Sequence, residues 1–142
     1  MRIPLSPFAF AAALASAALP VLAGDKTEAE IAEICGEAEE RYVDIYGAPS
    51  AEAEGVTVVT MYKYSFCPPE IAVPVGTTVR WVNVDRRTSH SVIAKGQPES
   101  DRVFPEEAIE FTFLEASDPQ EYLCGPHWES HEMIGMVTVV EE

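Results

Sequence analysis

Near its carboxyl end the chain carries a cluster of side chains that can bind a soft metal ion. The cluster contains Cys124, His127, His131, Met133 and Met136. Thiolate sulfur, imidazole nitrogen and a weak axial thioether are the ligands of an electron-transfer copper centre. Such a centre needs one more histidine from outside the cluster, and His90 is therefore expected to join the carboxyl-terminal ligands.

The amino terminus has the pattern of an export signal. Arg2 precedes an apolar run from Phe8 to Leu19, and Val21-Leu22-Ala23 resembles a small-residue cleavage site. We therefore predict a signal peptide over residues 1–23 and a periplasmic location for the mature protein. A membrane anchor is the alternative, but prolines interrupt the apolar run and no stop-transfer pattern follows.

The next segment is predicted to be a helix, from Asp25 to Tyr46. Thr27 and Glu30 have capping-box spacing, apolar residues recur at helical intervals, and Gly47 and Pro49 supply a stop signal. We assign residues 24–50 to a helical extension that packs on the domain formed by residues 51–142.

From Val56 onward the pattern becomes that of β-strands. Val56–Phe66, Ile71–Pro74, Thr77–Val84, His90–Ala94, Ile109–Leu114, Glu121–Cys124 and Ile134–Val140 are short runs rich in β-branched and aromatic residues. Seven or eight such strands with no second helix predict an antiparallel sandwich or barrel. Trp81, in the middle of a strand, is expected in the core.

Three cysteines in an exported protein leave one unpaired if the other two form a disulfide. Cys124 lies among the candidate ligands, so Cys35 and Cys67 are the predicted pair. The alternative is that both remain reduced and buried.

Several motifs in their order resemble those of the cupredoxin family. They are Val73–Asp85, then His90, then Tyr122–His127, then Met133–Val137. The resemblance covers about Val56 to Glu142 and is closest to the plastocyanin, pseudoazurin and amicyanin group. It implies an all-β Greek-key β-sandwich, here with an N-terminal α-helical extension, that holds one type 1 copper ion. The implied metal ligands are His90, Cys124, His127 and Met133.

The chain departs from these relatives in two places. The spacing from His127 to Met133 is longer than in those relatives, which leaves His131 and Met136 as alternative ligands. Ser91 stands where relatives commonly have an asparagine that ties the two ligand loops together. Trp128, next to the candidate ligand His127, is either an exposed docking residue or packed.

The composition restricts the partners. With 24 acidic and 9 basic residues, the net charge is −15, which argues against binding to nucleic acid or an anionic membrane.

The leading hypothesis is a periplasmic monomer that is not an enzyme and carries single electrons between redox proteins, such as a basic c-type cytochrome or an oxidoreductase. The alternatives are a copper chaperone or storage protein, and a copper enzyme with an open coordination site.

Overall fold

The computed structural model describes residues 26–141, so the predicted signal peptide lies outside the described residues. A long helix precedes two β-sheets. The elements, in chain order, are α1 (Glu28–Tyr46), a 3₁₀ turn (Ser50–Glu52), β1 (Thr57–Tyr62), β2 (Ser65–Cys67), β3 (Glu70–Pro74), β4 (Thr78–Asn83), β5 (Ile93–Ala94), β6 (Ala108–Thr112), β7 (Ser117–Leu123), α2 (Trp128–His131) and β8 (Ile134–Val140).

The strands form a sandwich of two four-stranded sheets, ordered β2-β1-β4-β6 and β3-β8-β7-β5. The predicted sandwich is confirmed, but the prediction of purely antiparallel sheets is wrong, because β1 pairs with β4 and β3 pairs with β8 in parallel. Apolar alternation determines which face of a strand is buried, whereas the direction of its neighbour depends on connections between the sheets.

The main core lies between the two sheets and contains the large side chains of both. Trp81 is fully buried there, as predicted, and its ring contacts the ring of Tyr122 edge to face. Gly135 on β8 faces Tyr122, and a Cβ at position 135 would lie 2.2 Å from the Tyr122 Cζ atom. The close packing of these two strands therefore requires glycine at this position.

Helix α1 covers the outer face of the sheet that contains β1 and β4. Thr27 and Glu30 form the predicted capping box, and Gly47 ends the helix in the left-handed conformation. A second, smaller core forms between the helix and the sheet. Its buried residues are Ala38, Tyr42, Val58, Cys67, Val82 and Val84.

The predicted Cys35–Cys67 disulfide is confirmed and joins α1 to β2. The expectation of no second helix is wrong, because residues Trp128–His131 form one helical turn between the candidate ligands His127 and Met133. Within residues 26–141, no helix combines the length and apolar character needed to span a membrane.

Candidate metal centre

The candidate ligands converge at one end of the sandwich from two separate parts of the chain. His90 follows β4 and is fixed by a pair of backbone hydrogen bonds with Val103, which are 3.0 and 2.8 Å long. Cys124 directly follows β7, and Met133 directly precedes β8. Because β7 and β8 are paired, the segment between them is anchored at both ends.

Three of the predicted residues bring their donor atoms together. The Cys124 Sγ atom lies 3.6 Å from His90 Nδ1 and 3.3 Å from His127 Nδ1. All three donor atoms lie within 4.8 Å of one another. Cys124 and His90 are completely buried, and His127 is partly buried. This spacing allows one metal ion to contact all three atoms, since copper-sized ions bind nitrogen and sulfur at about 2.0–2.3 Å.

Met133 lies beside this group and is also buried. Its carbonyl oxygen accepts a hydrogen bond from the Cys124 N–H at 3.1 Å, and its own N–H donates to the His127 carbonyl at 3.3 Å. The turn of helix α2 between His127 and Met133 takes up the extra length of the loop. The longer spacing is therefore compatible with keeping Met133 next to Cys124.

The alternative metal ligands named from the sequence, His131 and Met136, lie away from this group of donor atoms. His131 is exposed and, among residues 26–141, lies outside the group formed by His90, Cys124 and His127. Met136 is partly exposed, on the face of β8 opposite to the buried Val137. Met136 lies outside the core because the buried positions of this segment alternate from Met133 through Gly135 to Val137. Trp128 is 39% exposed.

Burial shifts the pKa values of Cys124 and His127. It raises the pKa of the Cys124 thiol, although hydrogen bonds from the backbone at Ser91 and His127 oppose this effect. Burial, followed by the nearby imidazoles of His90 and His131, lowers the pKa of His127 to about 4. A neutral His127 has a free lone pair at neutral pH, as metal ligation requires.

A carboxylate that we did not single out from the sequence orients the His90 ring. The Asp85 Oδ2 atom lies 2.6 Å from His90 Nε2, so Nδ1 on the other side of the ring faces the thiol. Asn83 holds this loop in place, since its side chain accepts from the Asp85 N–H and donates to the carbonyls of Thr88 and Val103. Carboxylates in this position fix the ring and the tautomer of metal-binding histidines. The role of Asp85 could not be recognised from its spacing alone.

Tyr64, at the turn between β1 and β2, packs against the exposed side of the site. Its ring contacts His127 edge to face, with 4.8 Å between centroids, and stacks on His131 at 3.8 Å. Lys26 donates hydrogen bonds to the carbonyls of Tyr64 and His131. The start of the helical extension therefore contacts both the turn and the ligand loop.

The donor set fits copper better than zinc or a hard cation. One thiolate, two imidazoles and a thioether match the trigonal His₂Cys arrangement with a weak axial methionine. Structural zinc sites use four strong ligands, usually with more thiolates, and calcium or magnesium requires oxygen.

No protein-family model and no curated protein matches the chain. Solved structures of amicyanin do match it. A reduced amicyanin variant and an oxidised one are each 32% identical, and a Cu(I) variant at pH 4 is 33% identical. Each alignment covers 64% of this chain and 89% of the other, with a TM-score of 0.54.

The sandwich, the cluster at its end and this similarity define the class: the chain belongs to the cupredoxin family. Amicyanin is among the solved structures that it resembles, over 64% of this chain. Its longer ligand loop, with helix α2, and the disulfide-linked helix α1 are features of this chain.

Proposed function

We propose that this protein is a periplasmic carrier of single electrons with one type 1 copper ion, bound by His90, Cys124, His127 and Met133. The observation that carries the proposal is the buried group of one thiol and two imidazole nitrogens within 4.8 Å of one another. When bound, copper supplies a one-electron couple between Cu(I) and Cu(II).

The protein contributes rigidity to this function. His90 is held by Asp85 and by the backbone of Val103, while Cys124 and Met133 are joined by a backbone hydrogen bond. Ligands fixed in this way move little when the charge of the metal changes, so little reorganisation opposes electron transfer. The proposed partners are redox proteins with a basic surface, such as a c-type cytochrome or an oxidoreductase, because the chain carries a net charge of −15. We propose no substrate turnover and hence no enzyme activity.

The visible spectrum of the copper-loaded protein tests the proposal. We expect an intense blue band from thiolate-to-copper charge transfer in the native protein. Cys124→Ser should abolish the band, and Met133→Leu should leave a coloured site with a raised reduction potential. Met136→Leu is the matched control, because this thioether lies on the outer face of β8 and should affect neither property.

Other spectra would contradict the carrier function. A colourless protein that binds only Cu(I) would indicate a chaperone or a storage protein. A weak spectrum that changes on addition of azide or nitrite would indicate an open coordination site, as in a copper enzyme. An unchanged potential in Met133→Leu would remove Met133 from the proposed ligands.

A further inference from the structure

Ser91 links Gly125, the residue after the candidate ligand Cys124, to a carboxylate that lies outside the motifs resembling the cupredoxin family. Its hydroxyl accepts a hydrogen bond from the Gly125 N–H at 3.0 Å and donates one to Glu99 Oε1 at 2.7 Å. Ser91 is fully buried, whereas Glu99 is exposed. The chain of hydrogen bonds therefore runs from the solvent to the residue that follows Cys124.

The Glu99 carboxylate determines the orientation of the Ser91 hydroxyl group. A serine hydroxyl has one proton, and because Glu99 can only accept while it is ionised, that proton points towards the carboxylate. The lone pairs of Ser91 Oγ are then directed to the Gly125 N–H. Hydrogen bonds to a carboxylate are stronger than neutral ones, and bonds in a chain polarise one another. Glu99 thus strengthens the contact that Ser91 makes with the ligand loop.

The carboxylate also lies directly against the backbone of the ligand loop. A Cβ built on Gly125 would lie 1.8 Å from Glu99 Oε1 and 2.7 Å from Ser91 Oγ. Glycine at position 125 is what allows this approach.

We infer that the Glu99 carboxylate, acting through the Ser91 hydroxyl, positions the backbone beside the ligand thiol and lowers the reduction potential of the site. The inference rests on the proposed copper function for its electronic part. A negative charge near the metal stabilises the oxidised ion, which carries the larger positive charge. Glu99 is therefore a positioning and tuning residue, distinct from the ligands.

The electronic part is tested by the reduction potentials of the copper-loaded native protein, Glu99→Gln and Glu115→Gln. Glutamine at position 99 retains an acceptor for Ser91 but removes the charge. Glu115 is an exposed carboxylate two residues before Ser117, which pairs with Val139 at the far end of β8, so it controls for the loss of one charge.

We expect Glu99→Gln to favour reduction by roughly tenfold at low ionic strength, which is about 59 mV for a one-electron couple. The difference in reduction potential between Glu99→Gln and the native protein should become smaller as salt is added, because Glu99 is exposed and its charge is screened. Equal potentials in Glu99→Gln and Glu115→Gln would overturn the electronic part.

The positioning part is tested in the metal-free protein, by hydrogen exchange of single backbone amides. Ser91→Ala should accelerate exchange of the Gly125 amide by about tenfold or more, because this N–H loses its acceptor. Ser100→Ala is the matched control: Ser100 Oγ accepts from the Val92 N–H, so exchange should increase at Val92 and not at Gly125. Unchanged exchange at Gly125 in Ser91→Ala would overturn the inference.

The hydrogen-exchange measurement needs no metal, so its result is independent of whether the protein binds copper. If Ser91→Ala does not fold, the comparison between Glu99→Gln and Glu115→Gln still decides the inference, since both substitutions are on the surface.

Discussion

At the scale of single residues, the orientation of His90 depends on a carboxylate five positions earlier in the chain. Asp85 contacts His90 Nε2 at 2.6 Å, and the imidazole is completely buried. Without this partner, the buried ring would lose the hydrogen bond at Nε2 and could rotate its Nδ1 atom away from Cys124. The carboxylate also makes the ring a better electron donor to a metal.

We therefore predict that Asp85→Asn weakens copper binding by about 10–100-fold, the usual cost of losing such a partner. The measurement is the dissociation constant in competition with a chelator of known affinity. Asp118→Asn, at an exposed position of β7 distant from the ligands, is the control and should bind as the native protein does. An unchanged affinity in Asp85→Asn would show that the surrounding loop alone orients His90.

At the scale of elements, helix α1 packs against the sandwich and is also joined to it by a disulfide bond. Ala38 and Tyr42 pack against Val58 and Val82, and the disulfide joins Cys35 to Cys67 at the end of β2. The two cysteines are separated by 32 positions, so the bond closes a long loop in the unfolded chain. Restricting the unfolded state in this way stabilises the folded one.

We predict that the double substitution Cys35→Ala and Cys67→Ala lowers the free energy of unfolding by about 2–4 kcal/mol. Urea unfolding of the native and variant proteins measures the difference. The visible spectrum of the copper-loaded variant should be unchanged, because neither cysteine belongs to the group around Cys124. If the spectrum is lost while the protein remains folded, then the helix is required to organise the metal centre.

At the scale of the whole molecule, the dominant property is the excess of negative charge. The net charge is −15, and the exposed side of α1 contributes Glu28, Glu33, Glu40 and Asp44. Charge of one sign attracts oppositely charged partners over distances up to the screening length, which is about 8 Å at physiological ionic strength. The rate at which the copper-loaded protein encounters charged partners should therefore depend on the salt concentration.

We predict that reduction by a small cationic reagent slows by about tenfold between low ionic strength and 0.15 M salt, because screening weakens the attraction. Reduction by an anionic reagent should accelerate over the same range, and a neutral reagent is the control. Stopped-flow absorbance at the blue band measures the rates. Equal salt dependence for the cationic and the neutral reagent would mean that the net charge does not affect the encounters that reduce the copper.

The sequence by itself determined the chemistry of the site and much of the local structure. Cys124 and His127 are so close along the chain that any tight turn brings them together, and the residue types select a soft metal. The capping box of α1 and the disulfide partners were also predictable, because caps depend on local spacing and pairing followed from three cysteines.

Only the tertiary structure decided the contacts between distant parts of the chain. His90 lies 34 positions from Cys124 and meets it because the ends of β4 and β7 lie at the same end of the sandwich. The direction of β1 beside β4 and the approach of Glu99 to Gly125 have the same origin. Apolar alternation records which side of a strand is buried, but contains no information about which distant residues become its neighbours.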